Sequence, residues 1–326
     1  MNILYTINGL FVPQVAAAIT SVCENNKKTD EIHFYIMSLQ IPKKLECELA
    51  DYVKTYDRPD AKREVSYIEL GDMKDHFNFE IDTNAWNPIV LARLLLDKLL
   101  PEDLHRIIYM DGDTIVRGDL SELWNTDMGD SSIGACIEST CSLKRKEALG
   151  LKNMPYHNAG VLLVDLDNWR KNNTGKEIID YYRANDGKLY ANDQDAINGS
   201  QRGKIKTLSI TYNYHNTYDI YRYRLLEKNC DYQVPGKDEV EKIKANPCII
   251  HFLGEERPWR KGNKHRFGKE YIKYLDMTPW KGQNIEEGWE TYFMFWNIFN
   301  FIMKPFPVLR CHIINGLVPM ILKMRS

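Results

Sequence analysis

The 326-residue chain, 44% hydrophobic and 27% charged, is long enough for one large α/β domain with an appendage. Its formal charge of −2 excludes the strongly basic balance of a general nucleic-acid binder, so no nucleic-acid partner is expected and any basic feature must be local. The seven cysteines form no C-x-x-C pair and leave an odd one over, which argues against a zinc site or a disulfide framework and suits a reducing compartment.

From the N-terminus, MNILYTINGL shows no basic start, apolar stretch and small-residue cleavage site, so a cytoplasmic chain is expected. Residues 2–7 form an apolar strand, and 12–26 carry Val12, Val15, Ala16, Ile19, Val22 and Cys23 at helical spacing. A second strand is predicted over 31–39. Pro42 opens a helix over 42–56, patterned by Leu45, Leu49 and Val53, and 65–70 closes the unit as a third strand. Alternating strands and helices of these lengths predict a mostly parallel sheet covered on both faces, with ligands at the carboxyl ends of its strands.

Asn87 and Pro88 read as an N-cap and first helical position, leading into an apolar helix that Pro101 ends and whose first three turns hold one cation, Arg93. RIIYM at 106–110 is too uniformly apolar for a half-exposed strand and is predicted to be central. Further strands are expected near 133–138, 160–166, 204–210 and 247–253, with helices near 168–185 and 193–199. No repeat or low-complexity linker appears, so a catalytic domain over 1–280 and a tail over 281–326 are expected.

The segment IIYMDGDTIVRGDL at 107–120 ends its strand in two carboxylates. Side chains at i and i+2 of an extended chain share a face, so Asp111 and Asp113 can converge if the path stays extended through Gly112, which also lets a ligand approach the backbone. Hard carboxylate oxygens select Mg²⁺ or Mn²⁺, with substrate phosphate completing the shell. Solvated aspartates in a polar turn are the plain alternative. HFLGEERPWRKGNKHRF at 251–267 offers His251 as an imidazole ligand favouring Mn²⁺, Gly254 for close approach, and Arg257 to fork two phosphate oxygens. Residues 255–273 hold seven cations against three glutamates, the strongest basic bias in the chain. In HNAGVLLVDLDNWR at 157–170, Asn158, Ala159 and Gly160 precede a strand and could offer an amide to a sugar hydroxyl. In ANDQDAINGS at 191–200, Asp193 and Gln194 open a helix, where Asp193 would equally serve as an N-cap.

These segments, with ARLLLDKLLP before the first of them and DL-x-ELW at 119–124, resemble the family 8 retaining glycosyltransferases, a group that includes bacterial lipopolysaccharide galactosyl- and glucosyltransferases and glycogenin. The resemblance runs from residue 1 to about 265. It implies a Rossmann-like, nucleotide-sugar-binding glycosyltransferase A-type fold, Mn²⁺ (with Mg²⁺ possible), a UDP-sugar donor, a saccharide or lipid-linked glycan acceptor, and retained anomeric configuration. By position it makes Asp111, Asp113 and His251 the metal triad and Thr6 and Asn8 the start of the uridine pocket. Gly254 and Arg257 become diphosphate contacts, while Arg93, Asn158, Asp193 and Gln194 hold the donor sugar. The pocket departs from the family pattern: it reads INGLF, with Asn8 at the acidic position and Leu10 where Asn is common, and Arg257 replaces the usual Lys.

Two other readings stay open at this level. The D-x-D-x-T string also suits a phosphohydrolase with Asp111 as phosphoryl acceptor, and the altered pocket suits a non-catalytic, membrane-bound interaction protein on a worn glycosyltransferase fold. The tail adds an aromatic segment at 288–306 with Glu290, Asn297, Asn300 and Lys304 on one stripe, then four cations and no acid from Lys304 to Ser326. Attachment to an anionic membrane surface is expected, making the enzyme peripheral on the cytoplasmic face. Prolines 305, 307 and 319 interrupt any continuous span. Packing of the tail on the protein is the alternative.

Overall fold

The computed structural model describes residues 1–84, 86–230, 233–283 and 285–325. Strands β1 (Asn2–Asn8), β2 (Glu31–Leu39) and β3 (Lys62–Glu69) are joined by helices Val12–Asn25 and Lys43–Lys54, as the alternation predicts. They are followed by β4 (Arg106–Met110), β5 (Thr114–Val116), β6 (Ile133–Ile137), β7 (His157–Asp165), β8 (Lys206–Leu208) and β9 (Ile249–His251). The central sheet has seven strands in the order β3-β2-β1-β4-β7-β6-β8. Strand β7 alone runs against its neighbours β4 and β6, and the other pairings are parallel.

Strand β4 sits in the middle, with Ile107, Ile108, Tyr109 and Met110 fully buried, which explains its unbroken apolar run. Each such side chain contributes roughly 1.5–3 kcal/mol of burial. Strand order reverses between β1 and β4, so a crevice opens beyond their carboxyl ends. Because β7 is antiparallel, its beginning lies at that same end: Val161 pairs with Met110, and Asp111 N–H donates to Gly160 O at 2.8 Å.

Several sequence expectations are corrected. The stretch after Asn87 is a 3₁₀ helix, Pro88–Leu94, followed by one α-turn, Leu96–Leu99, in place of one long helix; Asn87 does cap it, accepting from Ile89 N–H. The segment near 247–253 contributes only β9, which leaves the central sheet to pair with β5 in a two-stranded ribbon where Thr114 faces His251. The strand near 204–210 shrinks to β8, and the helix near 168–185 divides into Leu166–Lys171 and Thr174–Ala184.

The tail forms helices Glu290–Met303 and Pro307–Arg325. They are inside-out for a helix pair in water. Asn297 and Asn300 of the polar stripe are half-buried, Asn300 Oδ1 accepts from Arg310 Nε at 3.1 Å, and Phe293 and Cys311 are buried. Phe295 and Phe301 are 62% and 80% exposed, with Met294, Ile298 and Ile302 exposed beside them. No helix among the described residues is long and apolar enough to cross a membrane.

Candidate active site

The crevice is a cavity of about 450 Å³, within the range of small-molecule sites. Its lining includes Thr6 and Asn8 from β1, Asp111, Gly112 and Asp113 beyond β4, and Asn158 and Gly160 from β7, with Asp193 and Gln194 from the helix Asn192–Ser200 and His251, Gly254 and Arg257 from β9 and its loop. With Arg93, which also lines it, thirteen of the fourteen residues singled out from the sequence meet at one cavity, and Ala159 alone is not in its lining.

The acidic pair converges by a route the sequence did not suggest. Gly112 and Asp113 make a turn, stitched by Thr114 Oγ1 donating to Asp111 O at 2.8 Å, so the strand does not continue extended. The β5–β9 ribbon then sets His251 against the turn, with Nε2 at 3.3 Å from Asp113 Oδ1 and 3.7 Å from Asp111 Oδ2. One ligand atom from each of the three residues lies within 4.8 Å of the others. Two carboxylate oxygens and one imidazole nitrogen so placed fit a borderline-hard divalent cation. Burial works against the His251 imidazolium, yet Asp113 and then Asp111 outweigh it and raise its pKa. Burial likewise pushes Asp113 up, but His251 and Arg257 outweigh it and hold the carboxyl below its usual range. The spot therefore favours positive charge.

Gly160 makes this placement possible. A Cβ there would lie 2.1 Å from His251 Cε1 and 2.6 Å from Nδ1, far inside contact distance. Gly160→Ala should expel the imidazole at a cost of about 1–3 kcal/mol in stability. Denaturant unfolding and a crystal structure of the variant check this; an unmoved ring would show that the strand yields instead.

Arg93 braces the opposite side. It is 5% exposed, donates from Nη1 to Ala159 O and from Nη2 to Asp111 Oδ1, both at 2.7 Å, and its Nε lies 3.2 Å from Asp193 Oδ2. Its guanidinium stacks over Tyr109, 4.3 Å from the ring centroid. Asp193 is not an N-cap, since Ala191 holds that position without a side-chain bond. Burial pushes the Asp193 carboxyl up to about 6, with Arg93 opposing and Asp111 adding to the rise. Gln194 is held at both ends, Oε1 accepting from Ala159 N–H at 3.0 Å and Nε2 donating to Tyr156 OH at 3.0 Å. Asn158 is equally committed, with Nδ2 donating to Glu138 at 2.8 Å and Oδ1 accepting from Gly160 N–H at 2.8 Å.

On the third side Arg257 Nη2 lies 3.5 Å from Asp113 Oδ2, and its buried Nε has no hydrogen-bond partner among the described residues. Gly254 takes φ +68 in the same loop, with open space where a Cβ would stand. Thr6 Oγ1 lies 2.8 Å from Tyr109 OH, and Asn8 Oδ1 accepts from Leu10 N–H at 3.1 Å as a cap of the following turn. Sequence reasoning missed Asn213, whose Oδ1 lies 2.9 Å from His251 Nδ1, and Tyr109, whose hydroxyl donates to Asp111 at 2.7 Å. Asn213 sits in a tyrosine-rich stretch with no motif around it, so no local signal could have found it.

A mostly parallel sheet whose order reverses at a polar pocket, with two carboxylates and an imidazole gathered at the strand tips, defines a glycosyltransferase of the A-type fold. The chain belongs to glycosyl transferase family 8: the family's sequence model matches residues 2–262. Among curated proteins it is similar to a putative glycosyltransferase of Haemophilus influenzae, 26% identical over 282 residues, 85% of this chain and 79% of that one. It is also similar to lipopolysaccharide 1,2-glucosyltransferase of Escherichia coli K12, 23% identical over 293 residues, 86% of this chain and 79% of that one. Among solved structures, the galactosyltransferase LgtC in complex with donor and acceptor sugar analogues superposes with a TM-score of 0.70 at 22% identity, over 89% of this chain and 99% of that one. Family membership assigns the D-x-D-x-T string to a glycosyltransferase rather than a phosphohydrolase.

Proposed function

We propose that this family 8 transferase moves a hexose, galactose or glucose, from a UDP-sugar to a saccharide acceptor of a cell-surface glycan such as lipopolysaccharide or capsule, with Mn²⁺ or Mg²⁺ and with retention. The convergence of Asp111, Asp113 and His251 on one point of the cavity wall carries this reading. The names of relatives that transfer glucose to lipopolysaccharide, or galactose, support the hexose. A divalent cation bound there supplies positive charge against a departing diphosphate.

The chain's own residues do the rest. Arg257, which lines the cavity beside Asp113, pairs with diphosphate oxygens, and Gly254 keeps the loop open beside them. Thr6 and Asn8 face the base, where an amide can pair with its edge. Arg93, Asn158, Asp193 and Gln194 frame the donor sugar. The two committed ends of Gln194 support a positioning role over a nucleophilic one, which favours front-face attack, the leaving phosphate oxygen taking the acceptor hydroxyl's proton. The 1–280 segment is then the catalytic domain. The tail over 281–326, with Phe295, Phe301 and Phe306 exposed and a basic end, lies on an anionic membrane surface at the cytoplasmic face, beside a lipid-linked acceptor.

The test is UDP release from UDP-Gal, UDP-Glc and UDP-GlcNAc with and without Mn²⁺. Metal-dependent release from one of the two hexoses is expected, and absence of metal-dependent UDP binding by calorimetry would revive the non-catalytic reading. Arg257→Ala should lower kcat/KM by ~100-fold or more, since one preorganised charge is typically worth ~3 kcal/mol, while Arg257→Lys should restore much of it. For the tail, Phe295→Glu with Phe301→Glu should release the protein from anionic vesicles in flotation assays and leave turnover of a soluble acceptor unchanged. Undiminished flotation would return the tail to a packing role.

A further inference from the structure

Metal-ligating histidines need their second ring nitrogen protonated and held, so that the first presents a lone pair. His251 Nδ1 lies 2.9 Å from Asn213 Oδ1 in a buried setting. An amide can face either way, and its orientation must be argued from its neighbours. Here the neighbours decide it, starting from a group with no choice. The Gly160 backbone N–H can only donate, and it donates to Asn158 Oδ1 at 2.8 Å. That turns Asn158 Nδ2 toward Glu138 Oε2, also at 2.8 Å.

Glu138 is 5% exposed and accepts as well from Thr140 N–H and Thr140 Oγ1–H at 2.9 and 2.6 Å, which suits an ionised, acceptor-only carboxylate. Burial pushes this carboxyl up, but His215, Thr140 and Asn158 outweigh burial and hold it low. With Asn158 so fixed, its Oδ1 also faces Asn213, which must present Nδ2–H to it at 2.8 Å. Asn213 Oδ1 is thereby left toward the imidazole. The only neutral tautomer that satisfies it carries the proton on Nδ1 and turns the Nε2 lone pair toward Asp111 and Asp113.

We infer that Asn213 is a positioning residue for the metal centre, its amide oriented by Asn158 and Glu138 so that His251 is held in the metal-binding tautomer. The inference rests on the metal-site reading above. It also gives Asn158 a second role in the cavity wall, since its Oδ1 and one Nδ2–H are engaged in this relay.

The experiment measures Mn²⁺ and Mg²⁺ affinity of the full-length protein by titration, using the paramagnetic resonance of unbound Mn²⁺ and its displacement by Mg²⁺. Asn213→Leu keeps the branched outline of the side chain and removes the acceptor. Asn213→Ser, too short to reach Nδ1 yet readily hydrated, serves the same purpose if the first variant fails to fold, and thermal unfolding checks both. Mn²⁺ affinity should fall about 10- to 100-fold, the usual effect of removing an outer partner of a ligand. Mg²⁺ affinity should fall less, because imidazole favours Mn²⁺ over Mg²⁺. A merely structural role would lower both alike. Unchanged Mn²⁺ affinity, or equal losses for the two ions, overturns the inference. Wild-type protein that binds neither ion removes the metal-site reading and this inference with it.

Discussion

Asp113→Asn is expected to lower kcat/KM for sugar transfer by roughly 100- to 1,000-fold, the equivalent of ~3–4 kcal/mol of lost electrostatic stabilisation. The amide keeps the shape of the side chain and removes its charge. In the wild type that carboxylate stands between His251 Nε2 at 3.3 Å and Arg257 Nη2 at 3.5 Å, so it sets the spacing between the imidazole and the guanidinium, and under the proposed function it would also hold the cation. Addition of Mn²⁺ should raise the Tm of the wild type and leave that of the variant unmoved, because a ligand stabilises only the fold that binds it. Metal-dependent turnover in Asp113→Asn at the wild-type rate would remove the assignment of this pocket.

Arg93→Met should be the most destabilising change at the site, by about 3–5 kcal/mol. A buried ion pair adds little net stability when whole, but removing one partner strands the other. Here two carboxylates lose their cation, Asp111 and the 8%-exposed Asp193. The pH dependence has a definite sign. Asp193 has a folded pKa raised from 3.8 to about 6, so it withdraws stability as pH rises through that interval and ceases to do so below 3.8. Loss of Arg93 moves that pKa further up. The gap between variant and wild type should therefore widen from pH 5 to pH 8, and urea unfolding at the two values measures it. A gap that shrinks over this range would mean that Arg93 serves stacking on Tyr109 more than charge balance. Transfer should fall ~100-fold as well, since Asp111 loses the bond that aims it.

The first three strands and two helices were legible because each rests on a period of apolar residues that local burial enforces. The stretch 88–100 was not. Its leucines and isoleucines suit a long helix, but Arg93 must reach Asp111, Ala159 O and Asp193 at once, and a 3₁₀ helix broken at Leu95 results. Short apolar segments such as 247–253 gave a strand without a partner, because pairing depends on which edge the fold leaves open.

What the sequence determined by itself is the chemistry available: two carboxylates at the end of a buried strand, an imidazole after another, a local cationic run, and the family to which their order belongs. The tertiary structure alone decided how they meet. Strand β7 runs backwards and so delivers Asn158 and Gly160 to the tips of strands that run forwards, and β9 leaves the sheet to face β5, carrying His251 across about 140 residues of chain to Asp111 and Asp113. Side-chain alternation and apolar period are local properties that a sequence records. Strand direction and pairing follow from burying the whole sheet at once, a balance spread over too many residues for any one segment to reveal.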